Sequence, residues 1–238
     1  MARLDDQAHV EKQYATEDRL RARKAAYANA EGDDPRELAF EAIAEARPSR
    51  VLEVGGGEGE LARRVVTELR AELVAVDQSR RMVDIQRSNG IDARVGDVQE
   101  LPFGDGEFDV AVAAWMLFHA PELDRALTEL ARVLKPNGRL VAVTNSTEHL
   151  RDLWKLAGAD RPMLTLNFRS ENGLEILERH FKHVERREAH GATTMDPDTI
   201  GRFAASSENL ASLAAVAERG ETVRVRTHST IFVAEGPA

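Results

Sequence analysis

Short β-branched or apolar runs alternate with amphipathic segments from residue 51 onward. The runs are Val51-Leu52-Glu53-Val54, Leu73-Val74-Ala75-Val76, Ala93-Arg94-Val95, Val110-Ala111-Val112-Ala113 and Leu140-Val141-Ala142-Val143. Between them, 59–69, 79–88 and 122–134 read as helices. Strand and helix alternating at this pitch call for a parallel sheet covered on both faces, which is a doubly wound α/β arrangement. Two further strands are expected near His183–Arg187 and over Thr222–Ala234, where Val223, Val225, Thr227, Ser229, Ile231 and Val233 alternate with Arg224, Arg226, His228, Thr230 and Phe232. A hairpin of these two gives the mostly parallel, seven-stranded sheet an antiparallel edge strand. Helices are expected at about 147–157, over Ser170–Phe181 and over Asp198–Ser206, with Glu235–Ala238 a frayed tail. Ahead of the alternating region, residues 1–47 are rich in charge and alanine. They read as a helix near 7–30, a break at Gly32-Asp33-Asp34-Pro35, and a second helix opening at Pro35, where proline's missing N–H is tolerated.

Composition narrows the classes. A chain of 238 residues suits one domain of ordinary size. With 41 acidic against 32 basic residues the net charge is −9, which argues against a large phosphate-binding surface and hence against a nucleic-acid partner. Zero cysteine removes disulfides, thiolate metal sites and cysteine nucleophiles, and suits a reducing compartment. No apolar run approaches the ~18 residues of a membrane span, and Met1–Asp6 lacks the hydrophobic segment of a secretion signal. The expectation is a cytoplasmic protein, monomer or homodimer, without a membrane partner. His149, His180, His183, His190 and His228 show no metal-ligand spacing, so no metal is expected.

The most specific local feature is Val51-Leu52-Glu53-Val54-Gly55-Gly56-Gly57-Glu58-Gly59-Glu60-Leu61-Ala62, a strand running into a glycine-rich turn that opens a helix. Glycine serves where the backbone turns at positive φ and where a ligand lies against the chain. A dinucleotide fingerprint from Gly55 and Gly57 needs glycine at 60, where this chain has Glu60. Glu58 and Glu60 also crowd the helix start and repel a pyrophosphate. A cofactor that is not a phosphate fits better.

Residues 45–145 resemble the class I S-adenosylmethionine-dependent methyltransferases, in their small-molecule, type 11-like branch. Glu53-x-Gly55-x-Gly57-x-Gly59 matches the first motif of that family. Asp77, ahead of Gln78, stands at the end of the second strand, where the family places an acid on the ribose hydroxyls. Gly96-Asp97-Val98 matches the segment whose acid contacts the adenine amino group and whose next residue offers its backbone to the ring. Phe108–Val112 matches the fourth strand, and Leu117–Leu123 with Arg132-Val133-Leu134-Lys135-Pro136-Asn137-Gly138 resembles the segments that follow it, Asn137 replacing a usual glycine. The resemblance implies a Rossmann-like methyltransferase fold, S-adenosyl-L-methionine as cofactor and S-adenosyl-L-homocysteine as product. Glu53, Asp77 and Asp97 all fall at carboxyl ends of parallel strands, the edge where such sheets bind ligands.

The same resemblance puts Ala114 and Trp115 beside the methionine part of the cofactor; core packing is the competing reading of Trp115. It also divides the chain into an N-terminal helical lid (1–47), a cofactor-binding core (48–145) and an acceptor-side insertion with C-terminal strands that complete the sheet (146–238). Tyr14 and Arg23 are the candidates for a lid contact with the cofactor, against a solvated charged helix. His119 is the candidate catalytic base, since imidazole takes up a proton near neutrality, or else a polar residue at a helix start. The implied activity is methyl transfer to oxygen, carbon or aliphatic nitrogen of a small-molecule acceptor. A non-catalytic module that binds the cofactor or its product, and an RNA or protein methyltransferase, are the alternatives.

Overall fold

The computed structural model describes residues 17–158 and 166–238. Eight strands form one sheet: β1 (Glu31–Gly32), β2 (Arg50–Val54), β3 (Glu72–Asp77), β4 (Asp92–Val95), β5 (Phe108–Ala114), β6 (Leu134–Asn145), β7 (Phe181–Met195) and β8 (Val223–Pro237), in the order β1-β7-β8-β6-β5-β2-β3-β4. The five strands β2 to β6 are mutually parallel. β8 runs antiparallel to both β6 and β7, so the antiparallel part lies at one side of the sheet with the reversed strand one place in from β7. The two-residue β1, which no pattern in the sequence marks, pairs with β7 outside it.

Helices cover both faces, as a sheet with apolar residues on both sides requires. α2 (Pro35–Glu45), α3 (Glu60–Arg64, continued by a π-helical turn to Leu69) and α4 (Arg80–Ser88) pack on one face through Ala39, Ala42, Ile43, Ala62, Val65 and Val83. α5 (Leu123–Val133) and α7 (Gly173–Leu177) cover the other through Leu127, Leu130 and Leu177. Local signals set several starts. Asp34 Oδ1 accepts from Arg36 N at 2.8 Å with Pro35 at the first helical position, and Ser79 Oγ accepts from Met82 N at 3.4 Å.

A third core sits beyond the end of β6. That strand stops at Asn145, opposite Ser229, while β7 and β8 continue together to the Met195–Val223 pair. The resulting two-stranded arm carries α1 (Glu17–Ala25), α6 (Arg151–Ala157), α8 (Pro197–Ala205) and α9 (Ala214–Ala217) around Leu153, Trp154, Met195, Ile200, Phe203, Leu213 and Val225. Trp154, Met195 and Phe203 therefore pack the arm, while Met163 and Leu164, also apolar in sequence, lie outside the described residues.

Besides β1, which makes the expected seven-stranded sheet eight-stranded, the structure differs from the sequence expectation in three places. The helix expected over Ser170–Phe181 is confined to Gly173–Leu177, because Phe181 is buried as the first residue of β7. The strand expected near 183–187 extends from Phe181 to Met195; its outward face is largely polar, and the apolar alternation is thinned accordingly. The expected frayed tail is ordered. Glu235 to Pro237 belong to β8, and Ala238 N donates to His180 O at 2.9 Å.

Candidate functional site

The carboxyl ends of β2, β3 and β5 open onto one cleft walled by Gly55, Gly57, Asp77, Gln78, Val98, Trp115 and His119, with Met116 and Ser79 beside them. β2 delivers Glu53 to the floor beneath this cleft, where it is only 2% exposed. Among the described residues its Oε2 has no hydrogen-bond partner. Burial, and secondarily the neighbouring Asp77 charge, push its carboxyl up to about 7. Asp77, at the end of β3, is pushed up to about 6 by burial despite backbone N–H bonds from Ser79 and Gly57. Two neighbouring acids under one loop thus ionise less readily than free carboxyls.

The loop above them is built around that pair. Gly55 N donates to Val76 O at 2.8 Å, Gln86 Nε2 donates to Gly57 O at 2.7 Å, and Gly57 has φ 58°, a conformation that side chains strain. Gly56 has a different reason to be glycine: a β-carbon there overlaps the Glu53 carboxylate. Gly56 was not singled out by the motif spacing; only the buried acid explains it. Gly59 turns its back to the cleft, where an added β-carbon comes within 2.7 Å of Ile91 Cδ1, so it serves the entry into α3.

On the opposite wall Trp115 holds φ 54°, unusual for a bulky aromatic residue. Its N donates to Val143 O at 2.8 Å and its Nε1 to Asn145 Oδ1 at 2.9 Å; Ser229 Oγ donates to the same Oδ1 at 2.7 Å. β5, β6 and β8 together therefore pin the indole. Trp115 both lines the cleft and packs on the core, so neither of its sequence readings excludes the other. His119 ends a 3-10 turn, Leu117–His119, with its N donating to Met116 O at 2.8 Å and its ring 4.5 Å from that of Phe118.

Not every expected residue reaches the wall. Asp97 lies between the lining residues Gly96 and Val98, but its carboxylate accepts from Gln99 N at 2.9 Å and from Gln99 Nε2 at 3.0 Å. Ala114 is the residue behind Trp115 and packs with the core. Tyr14 lies outside the described residues. Arg23 sits half-buried on α1 beside Tyr27 and is not among the residues that line this cleft. α1 nevertheless covers the glycine loop: Leu20 Cδ2 lies 3.3 Å from where a Gly57 β-carbon belongs, and Lys24 Nζ pairs with Glu58 at 2.7 Å and Glu60 at 3.0 Å. The two acids that argue against a pyrophosphate are the anchors of this helix.

Residues 52–142 match the family model described as a methyltransferase domain. The matched segment is the one whose motifs resemble the class I S-adenosylmethionine-dependent methyltransferases. Over 99 residues the chain is 37% identical to an uncharacterised methyltransferase of Schizosaccharomyces pombe, covering 41% of this chain and 39% of that one. It is also 37% identical over 126 residues to the ubiquinone/menaquinone biosynthesis C-methyltransferase UbiE of Vibrio parahaemolyticus, covering 48% of each. The match thus spans less than half the length of these relatives. Among solved structures, the [4+2]-cyclase SpnF superposes with a TM-score of 0.65 at 21% identity, covering 98% of this chain and 96% of that one, a likeness of fold. The matched methyltransferase domain spans the glycine loop, all three strand-end acids and the 115–119 wall; the arm falls outside it. The family's cofactor fits what the domain presents: a buried acid with an unpartnered oxygen suits an ammonium or sulfonium charge, and the Gly56–Gly57 backbone is bare of β-carbons.

Proposed function

We propose that this chain is a methyltransferase that uses S-adenosyl-L-methionine, yields S-adenosyl-L-homocysteine, and acts on a small molecule. The observation that carries the reading is the Glu53–Asp77 pair, buried together beneath a glycine loop at the carboxyl edge of a parallel sheet. The bound cofactor supplies an electrophilic methyl group on a positively charged sulfur. Asp77 accepts from the ribose hydroxyls, and the Val98 backbone borders the adenine. Asp97, turned to Gln99 here, contributes to the adenine only by releasing that side chain. Glu53 balances positive charge from below. Trp115, held by Asn145, and Met116 border the methyl end and exclude water.

With the cofactor held by these residues, its electrophilic methyl group would be presented to the acceptor's nucleophilic atom, so the task of this chain's own residues is alignment. His119, on the same wall, takes the proton of an O–H or C–H acceptor. The lid, core and insertion division at 47/48 and 145/146 is retained in this reading, with α1 as the described part of the lid. Carbon is one acceptor class, the one in the name of the C-methyltransferase UbiE; oxygen and aliphatic nitrogen are the others.

Calorimetry with S-adenosylhomocysteine tests the reading. Wild type is expected to bind it, and Asp77→Asn to bind roughly 10–100-fold more weakly, the worth of about 1.5–3 kcal/mol for hydrogen bonds to a charged group. No heat from folded wild type overturns the proposal. Binding without turnover on any acceptor selects the non-catalytic module instead.

A further inference from the structure

We propose that Glu188, His190 and His228 bind a divalent transition-metal ion through two imidazole nitrogens and one carboxylate oxygen. The three side chains share one face of the β7–β8 arm near its root, and their ligand atoms all lie within 4.8 Å of one another. Backbone geometry builds the cluster. His190 pairs with His228 across the two strands, and Glu188 precedes His190 by two residues, the strand period that returns a side chain to the same face. The main-chain groups of the two histidines point away from each other. His190 N donates to Asp33 Oδ2 and its O accepts from Asp33 N, while His228 N donates to His149 Nδ1 and its O accepts from Ser146 N. Theirs is therefore the non-hydrogen-bonded kind of antiparallel pair, which brings side chains closest. The imidazoles stack with centroids 4.2 Å apart, and His228 Nε2 already meets Glu188 Oε2 at 2.7 Å.

The carboxylate is held in place from behind. Thr230 Oγ1, 2.7 Å from Ser170 Oγ, lies 2.8 Å from Glu188 Oε2 and can donate to it, and Arg186 Nε donates to Oε1. Such outer bonds orient metal-ligating carboxylates. Two imidazoles with one carboxylate select zinc, cobalt, nickel or copper over magnesium or calcium. An ion there joins β7 to β8 just beyond the point where β6 ends, and fixes the arm to the sheet. The sequence hides the site because its ligands come from two strands, Glu188 and His228 being 40 residues apart.

Titration of the full chain with zinc chloride tests this. One equivalent is expected to bind, with no heat from magnesium chloride. His190→Ala and Glu188→Gln are expected to weaken zinc binding by at least the roughly 10–100-fold that loss of an outer partner costs. His183→Ala, an exposed histidine at the far end of β7, is expected to leave it unchanged. Melting of metal-free His190→Ala, the most exposed of the three, checks that the fold persists. Absence of zinc binding in wild type overturns the proposal, as does undiminished binding in folded His190→Ala or equal binding of magnesium.

Discussion

Glu53 and His149 are both buried ionisable side chains, one at the end of β2 in the parallel half and one beneath the β7–β8 arm, and their surroundings treat them in opposite ways. Glu53 keeps an oxygen without a partner among the described residues and has a second acid for its neighbour. His149 has both ring nitrogens engaged, Nε2 with Tyr27 Oη at 2.8 Å and Nδ1 with His228 N at 3.1 Å. The parallel half thus holds an unsatisfied acceptor beneath a cleft, the mark of a site completed by a ligand. The arm closes on itself and ties α1, through Tyr27, to β8. The cleft for the proposed cofactor lies in the first region and the scaffold that covers it in the second.

The harshest test of that division empties the arm's core. Leu153 on α6 is fully buried among Ile200, Phe203 and Leu213. Leu153→Ala is expected to cost about 2–5 kcal/mol. Hydrogen exchange is expected to accelerate in α6 and over Val223–Thr227 while β2 and β3 stay protected. Equal acceleration in both regions breaks the comparison, because the arm and the parallel half then open as one unit.

A smaller effect is expected where the glycine loop meets its acid. Gly56→Ala drives a methyl group into the Glu53 carboxylate, an overpacking that costs about 1–3 kcal/mol. The three nearest atoms to that methyl all belong to Glu53. Adding Glu53→Ala is therefore expected to restore the melting temperature without restoring affinity for S-adenosylhomocysteine. A double variant as unstable as Gly56→Ala alone shows that the loop requires glycine for its backbone and not for the acid beneath it.

These two variants also mark what the sequence made legible. Alternating runs disclosed every strand from β2 to β6, the glycine-rich turn disclosed Gly55 and Gly57, and the family resemblance pointed to Asp77, because in that half the apolar runs of β2 and β3 lead at once into residues that line the cleft. Gly56 was hidden, since its constraint comes from a side chain folded back under the loop. The anchoring of α1 by Glu58 and Glu60 was hidden likewise: their charge was plain, but their partners Arg21 and Lys24 lie on another helix. Gln99's hold on Asp97, Asn145's on Trp115, and the full length of β7 are tertiary facts that local period does not encode. The arm was harder to read throughout because its apolar face alternates with arginine, histidine and glutamate.

The gentlest perturbation is pH, and it is expected to act on the two regions with opposite sign. Glu53 rises on folding from 4.5 to about 7, so its contribution is fully present below pH 4.5 and is lost as pH climbs through 7. Asp77, raised from 3.8 to about 6, acts in the same direction. His149 is lowered by burial from 6.5 to about 4; its contribution is present above pH 6.5 and is lost as pH falls through 4. Each group changes stability by at most about 1.4 kcal/mol per pH unit. Taking the ligand-free protein from pH 7.5 to 5 is therefore expected to strengthen protection in β2 and β3 while weakening it in α6 and the outer part of β8, after correction for intrinsic exchange. Glu53→Gln removes much of the first trend and His149→Gln the second. S-adenosylmethionine, if its positive charge settles over Glu53, flattens the first trend alone; a ligand that flattens both binds across the arm as well, and the division between the two regions fails there.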